Sequence, residues 1–322
     1  MKITILDDYQ HVIEGLDCYK LLEGLNVEII HEYINDLDIL SQRLQDTEIL
    51  VLTRERTAIS EDLLKRLAAL KLISQPGKIS NHIDLNACNK YRVAIAEGIG
   101  SPIAPAELSW ALLMNTLRKI PQAIEGMKKG LWQTNIGDCV YGKTIGIWGY
   151  GKIGQRMAQY AKAFGAQVLV CGSDASREKA VQDGFKAAID RTTFFSQADI
   201  VSLHLRLNEQ TYGIVKEKDL LAMRANAVLI NTSRAELIEK GALQSVIRSR
   251  PDLSFGLDVY EFEPIFDADF PLFNAPNIVC TPRLGYVEKN SYELYFRKAF
   301  ENVIAFFGGN PTSIFNPDVL KA

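Results

Sequence analysis

The sequence has no apolar run approaching the roughly 20 residues that a bilayer-crossing helix requires. It has no excess of either charge. Lys and Arg number 36 against 39 Asp and Glu, a net of -3, which gives neither nucleic acid nor an anionic membrane an electrostatic footprint. Its five cysteines, Cys18, Cys88, Cys139, Cys171 and Cys280, fall at neither disulfide nor metal-ligand spacing, a pattern that predicts a reducing compartment and no metal site. Histidine is scarce, with four in the whole chain, so chemistry that needs a proton shuttle near neutral pH has few candidates. Internal repeats, low-complexity tracts and flexible linkers are missing too. The opening MKITILDDYQ reads as a buried strand, without the apolar core and small-residue cleavage site of a signal peptide. These absences predict a soluble cytoplasmic protein with no nucleic-acid or membrane partner.

What is present is a globular composition, 47% hydrophobic and 23% charged, over 322 residues, a length suited to two domains. Up to about residue 100, the strand-like runs KITILDD, NVEIIHEY, EILVLTR, KLISQPG and VAIAEG alternate with helical stretches. One of these starts at Ser60, a capping residue followed by Glu61 and Asp62 in the first turn. A long helical segment follows from about Ile103 to Lys129, after Pro102 and interrupted at Pro121. A second series then runs TIGIWGYG, QVLVCGS, DIVSLHL, AVLINTS, SFGLDVY and NIVCTP. Apolar strands alternating with helices predict parallel sheets covered on both faces, hence an α/β chain with two doubly wound domains. The last segment, about Val287 to Phe307, has the spacing of a docking helix that completes a core.

The strongest local signal is Gly149-Tyr150-Gly151-Lys152-Ile153-Gly154, directly after the strand TIGIW and opening a helical stretch. The first glycine permits a tight turn, the second lets the backbone approach a pyrophosphate, and the third allows close helix–strand packing. The helix N-terminus then offers free N–H groups to phosphate. Glycine turns are common, but the strand–turn–helix context is the one a dinucleotide needs. The next strand should end in an acid for the ribose hydroxyls of NAD, and by spacing that position is Gly172. Ser173 and Arg177 nearby can hold a 2′-phosphate and tilt the reading toward NADP. Asp174 argues for NAD, and Arg177 is equally readable as a solvated helix residue.

Reduction of a 2-keto acid by hydride transfer needs a cation for the carboxylate and carbonyl, an acid for the developing alkoxide, and a carboxylate to orient that acid. Arg234 follows the strand AVLINTS, and Asp258 and Glu263 lie in GLDVYEFEP. The blocks GYGKIGQRMA, INTSRAELIEKGAL, GLDVYEFEP and TPRLGY resemble, in order and spacing, the signature blocks of the D-isomer-specific 2-hydroxyacid dehydrogenases. SQPGKISNHID and APAELSWALL extend the resemblance, which runs from about residue 50 to 305. It implies a Rossmann NAD(P)-binding domain over residues 101–286 and a smaller flavodoxin-like substrate domain built from 1–100 plus 287–322. It further implies that Arg234 binds the substrate carboxylate and carbonyl, Glu263 orients the acid/base, and Asp258 contacts the nicotinamide carboxamide. Thr232 and Ser233 would line the nicotinamide pocket, with His204 near the cofactor cleft. Gly77 and Lys78 would lie on the substrate-domain side. The family generally forms dimers through the long helix, so a homodimer is implied, acting on a small 2-keto or 2-hydroxy acid.

The family's acid/base is a histidine in a TPHxG block, where this chain has Thr281-Pro282-Arg283-Leu284-Gly285. Arginine stays protonated, so it donates hydrogen bonds without shuttling protons near neutral pH. His11 and His31 have no motif around them, His82 reads as structural, and His204 is a poor substitute because the family commonly has a histidine there as well. Tyr286 and Lys78 are further acids with no better support. Arg283 can pair with Glu263 as a purely structural ion pair, or stand beside Arg234 to hold a doubly anionic ligand. Ala235 replaces the glycine usual after the family's arginine. Two readings follow: an oxidoreductase, weakened by Arg283, and a catalytically silent NAD(P)-binding regulator akin to the family's corepressor branch. A methyltransferase using the same glycine turn would not require Arg234, Asp258 and Glu263 in this order.

Overall fold

Among the described residues, 1–321 of this computed structural model, twelve strands form two sheets in which every strand pair is parallel. In chain order the first elements are β1 (Lys2–Ile5), β2 (Asn26–Ile29), α1 (Leu37–Leu44), β3 (Ile49–Val51), α2 (Glu61–Leu64), β4 (Leu72–Gln75), α3 (Leu85–Lys90) and β5 (Ala94–Glu97). Then come α4 (Ile103–Arg118), α5 (Ile120–Lys128), β6 (Thr144–Trp148), α6 (Lys152–Ala163), β7 (Gln167–Cys171), α7 (Asp174–Gln182), β8 (Lys186–Ala187) and α8 (Arg191–Gln197). The remainder is β9 (Ile200–Leu203), α9 (Glu217–Leu221), β10 (Val228–Asn231), α10 (Ala242–Ser249), β11 (Ser254–Leu257), β12 (Ile278–Cys280) and α11 (Lys289–Phe307). Two compact units result: Met1–Ser101 with the segment from Glu288 on, and Pro102–Val287.

The helix starts follow local chemistry. Asp36 accepts from the amides of Asp38 and Ile39, Ser60 from Leu63, Asp84 from Ala87, and Glu288 from Asn290 and Ser291, each satisfying amides that a helix leaves open. The long helical segment is two helices. Lys119 breaks it in the left-handed region at φ 52°, and Pro121 then sits in the first turn of α5, where its missing N–H costs no hydrogen bond. Between β1 and β2 the connection is made of 3₁₀ turns (Ile13–Gly15 and Asp17–Leu22), and the two-residue edge strand β8 has no sequence pattern to announce it.

In the first unit the sheet order is β2-β1-β3-β4-β5. One face packs on α1, α2 and α3 through Leu40, Leu44, Leu50, Leu63, Ile73 and Ile95. The final helix does dock: α11 buries Tyr295, Phe296, Ala299, Phe300 and Val303, and Ser74 Oγ in β4 donates to the Ala299 carbonyl at 2.8 Å.

In the second unit the order is β12-β11-β10-β9-β6-β7-β8. The chain builds outward from β6 through β7 to β8, then returns to the other side of β6 with β9. Strands that leave in opposite directions part their connections at the carboxyl ends of β6 and β9, and that crevice is where open α/β sheets bind ligands. Strands such as β9 and β10 are wholly buried, and separate apolar clusters cover the two faces, centred on Phe194, Phe195 and Phe255 and on Leu113, Ile147 and Met157.

Candidate active site

The glycine turn lies at this switch point. Gly149 has φ +100°, and a Cβ there would stand 2.6 Å from the His204 carbonyl oxygen. At Gly154 a Cβ would stand 2.0 Å from the Gly149 carbonyl oxygen. A side chain at Gly149 would drive the turn off the backbone that follows β9, and one at Gly154 would push α6 off the turn. Gly151 is different, because nothing lies within 4 Å of the place its Cβ would take, and it caps α6 with no side-chain acceptor on the first amides. An open approach to unsatisfied N–H groups at a twelve-residue helix suits a phosphate. Lys152 is exposed beside it and Ile153 packs partly into the core. Tyr150 contributes its backbone only. Its side chain is 4% exposed, and its hydroxyl donates to Asp183 at 3.0 Å, with burial pushing its pKa up.

At the end of β7, Gly172 has φ +157° and leaves no side chain for a ribose. Ser173 caps α7 at the Ser176 amide. Arg177 forms an ion pair with Asp174 and donates to the carbonyls of Ala188 and Ile189. The cation that tilted the reading toward a 2′-phosphate is thus paired with Asp174, because an i, i+3 spacing on one helix brings the two charges together.

His204, at the end of β9, sits with Nε2 2.8 Å from Ser202 Oγ, while its buried Nδ1 has no hydrogen-bond partner among the described residues. Burial pulls its pKa down to about 4. It is neutral near pH 7.

The β10 end is organised by Asn231, a residue that sequence reasoning passed over. Its Oδ1 accepts from the Ser233 amide (3.1 Å) and its Nδ2 donates to the Arg234 carbonyl (2.8 Å), an Asx arrangement that shapes the turn from within. Ser233 Oγ donates to the Leu203 carbonyl, and Thr232 Oγ1 lies 2.6 Å from Ser109 Oγ of α4. Arg234 is half-buried in extended backbone, with one guanidinium nitrogen on the Ser233 carbonyl at 2.7 Å. The signal was legible: Asn in the last strand position before Thr-Ser-Arg is a turn residue.

After β11 and β12, three side chains come together. Asp258 is 1% exposed. Its Oδ1 accepts from Thr281 Oγ1 (2.7 Å) and the Leu284 amide (2.6 Å), and its Oδ2 from the Gly285 amide (2.9 Å). Burial pushes this carboxyl up to about 6 even though those hydrogen bonds pull the other way. Glu263 accepts from the Tyr260 amide at 2.8 Å through Oε1, and its Oε2 forms an ion pair with Arg283. Arg283 is held in the left-handed region at φ 51°, ψ 51°. Tyr286, two residues past the turn's start, is buried.

In the first unit, Gly77 has φ +132°, and a Cβ there would collide with the Arg54 guanidinium, which donates to the Pro76 carbonyl at 3.0 Å. Lys78 is exposed and paired with Glu97 at 2.7 Å. Arg54 had no motif to mark it; only the fold brings β3 and β4 side by side.

Residues 110–285 match the family model described as the NAD binding domain of D-isomer specific 2-hydroxyacid dehydrogenases. A glyoxylate reductase of Thermococcus litoralis is 31% identical over 88% of this chain and 88% of its own length. A D-3-phosphoglycerate dehydrogenase of Methanocaldococcus jannaschii is 30% identical over 88% of this chain, which spans only 53% of that longer relative. A solved phosphoglycerate oxidoreductase from Vibrio cholerae O395 is 52% identical, covering 96% of this chain and 99% of its own at a TM-score of 0.94. With the glycine turn at a parallel-sheet switch point, Arg234 after β10 and both Asp258 and Glu263 after β11, the chain belongs to the D-isomer specific 2-hydroxyacid dehydrogenase family.

Proposed function

We propose that this protein transfers a hydride between NAD(P)H and a small 2-keto or 2-hydroxy acid, and that it does so slowly. The observation that carries this reading is the Arg283–Glu263 ion pair at the place of the family's histidine. The nicotinamide, when bound, supplies or accepts the hydride. The backbone at Gly149 and Gly151 and the first amides of α6 would hold the pyrophosphate, with Thr232 and Ser233 lining the ring's pocket. The planar fork of Arg234 suits a carboxylate and the adjacent carbonyl. Arg283 can steady negative charge on the developing alkoxide, but it keeps its proton, so the alkoxide takes its proton from water. A reduction that lacks a positioned acid loses on the order of 10²–10⁴ in rate.

Pairing of Arg177 with Asp174 supports NAD over NADP, against the tilt of the sequence. A homodimer is supported by large apolar side chains left exposed along α5 and the loop after it: Met127 at 63%, Trp132 at 75% and Ile136 at 90%. The same ion pair favours a second reading, a cofactor-binding protein with no turnover.

The test titrates NADH and NADPH by fluorescence and then follows loss of reduced nicotinamide with glyoxylate, hydroxypyruvate and larger keto acids. Slow turnover with a member of the panel supports the reductase. Tight nucleotide binding with no turnover supports the silent reading, and failure to bind either nucleotide rejects both.

A further inference from the structure

We infer that Asp258 is a positioning residue, whose buried carboxylate clamps the Thr281–Gly285 loop and thereby fixes Arg283 against Glu263. The clamp is a feature of the fold by itself; its effect on ligands rests on the function proposed above. The geometry is specific. Arg283 sits in a backbone conformation that non-glycine residues avoid, and the 3₁₀ turn that follows, Leu284–Gly285–Tyr286, begins with amides that have no partner inside the turn. The amides of Leu284 and Gly285 both point at Asp258, one to each oxygen, and Thr281 Oγ1 adds a third hydrogen bond.

Asp258 caps this turn across 26 residues of sequence. Only a carboxylate fits, because two adjacent N–H donors need two acceptor oxygens, and an asparagine would set its own N–H₂ against one of them. The same contact explains Gly285, since a Cβ there would stand 3.2 Å from Asp258 Oδ2. Three of the roughly four acceptor sites of the carboxylate are thus taken within the protein, and the one left on Oδ2 is enough for the nicotinamide amide that the family resemblance implies. Asp258 controls residue 283 by holding its backbone.

The test is Asp258→Asn in the full chain, read three ways. Hydrogen exchange should show lost protection in the peptide spanning residues 281–287 and little change elsewhere. Oxalate, used as a keto-acid mimic, should bind the NADH complex about tenfold more weakly, and NADH affinity is measured beside it. Thr281→Val, which removes one hydrogen bond without touching the carboxylate, should shift exchange and oxalate affinity in the same direction by less, and it carries the comparison if the asparagine variant does not fold. Unchanged protection of the Leu284 and Gly285 amides overturns the clamp. A tenfold loss of NADH affinity with the loop still protected does so too, by making Asp258 a cofactor ligand. If oxalate fails to bind even the native complex, the function proposed above fails, while the exchange result still decides the clamp.

Discussion

Arg283→His is the perturbation that bears most directly on how this site works. The backbone at 283 is left-handed, a region where histidine is among the better tolerated residues, and the Asp258 contacts that hold the loop do not involve the side chain being replaced. Glu263 keeps one oxygen on the Tyr260 amide at 2.8 Å, so the other remains aimed at whatever occupies position 283. An imidazole there gains an orienting carboxylate and becomes a proton donor that arginine cannot be. Restoring a positioned acid is worth about 10²–10⁴ in rate, or roughly 3–5 kcal/mol of barrier. The carboxylate beside it raises the imidazole pKa above the usual value near 6.5. Keto-acid reduction by the variant should therefore be fast at low pH and fall as pH rises through that raised pKa, a limb the native chain lacks. Single-turnover stopped flow with saturating NADH and glyoxylate or hydroxypyruvate reads both quantities. A variant rate within about threefold of native across the near-neutral range would refute the reasoning, because no rate gain from an added acid would mean that residue 283 does not face the reacting carbonyl.

The other predictions are independent of one another. Gly151→Ala meets nothing within 4 Å, so the melting temperature should hold while nucleotide affinity falls by more than about tenfold as the methyl blocks the pyrophosphate; equal losses of both would contradict a phosphate cradle. His204, pulled down to about 4, binds fewer protons folded than unfolded. It should cost the fold up to about 3 kcal/mol as pH drops from 6.5 toward 4. Asp258, pushed up to about 6, binds more protons folded and offsets this loss over nearly the same window. Urea titrations should then show His204→Asn gaining stability on acidification and Asp258→Asn losing it, and parallel pH curves for the two variants would rule the account out. Trp132→Asp should convert a dimer to a monomer by light scattering at micromolar concentration, since burying a charge at an apolar interface is costly; an unchanged mass would place the interface elsewhere.

The glycine turn and its helix were legible because their causes are local. A tight turn and a close helix–strand approach each demand glycine at one position, and Gly149 and Gly154 show that demand in space, while Gly151 leaves the helix N-terminus open. The parallel strands were legible for a similar reason, since strands covered on both faces read as continuous apolar runs. The edge strand β8, two residues long, had too little buried surface to leave a pattern. Pro121 marked a helix break, but the backbone turns at Lys119, two residues earlier, because a proline is comfortable in a first turn and its strain falls on what precedes it.

By itself, the sequence marked the helix after Gly151 as the candidate place for a dinucleotide's phosphates, set Arg234, Asp258 and Glu263 after strands, and put at 283 a residue that does not release its proton near neutral pH. Only tertiary structure decided what those groups do to one another. Tyr150 is turned into the core onto Asp183, Arg177 is paired with Asp174, and Asp258 holds a loop 26 residues away. A motif records which residue types a turn permits, whereas a side chain's partner depends on which distant backbone the packed sheet brings within about 3 Å of it.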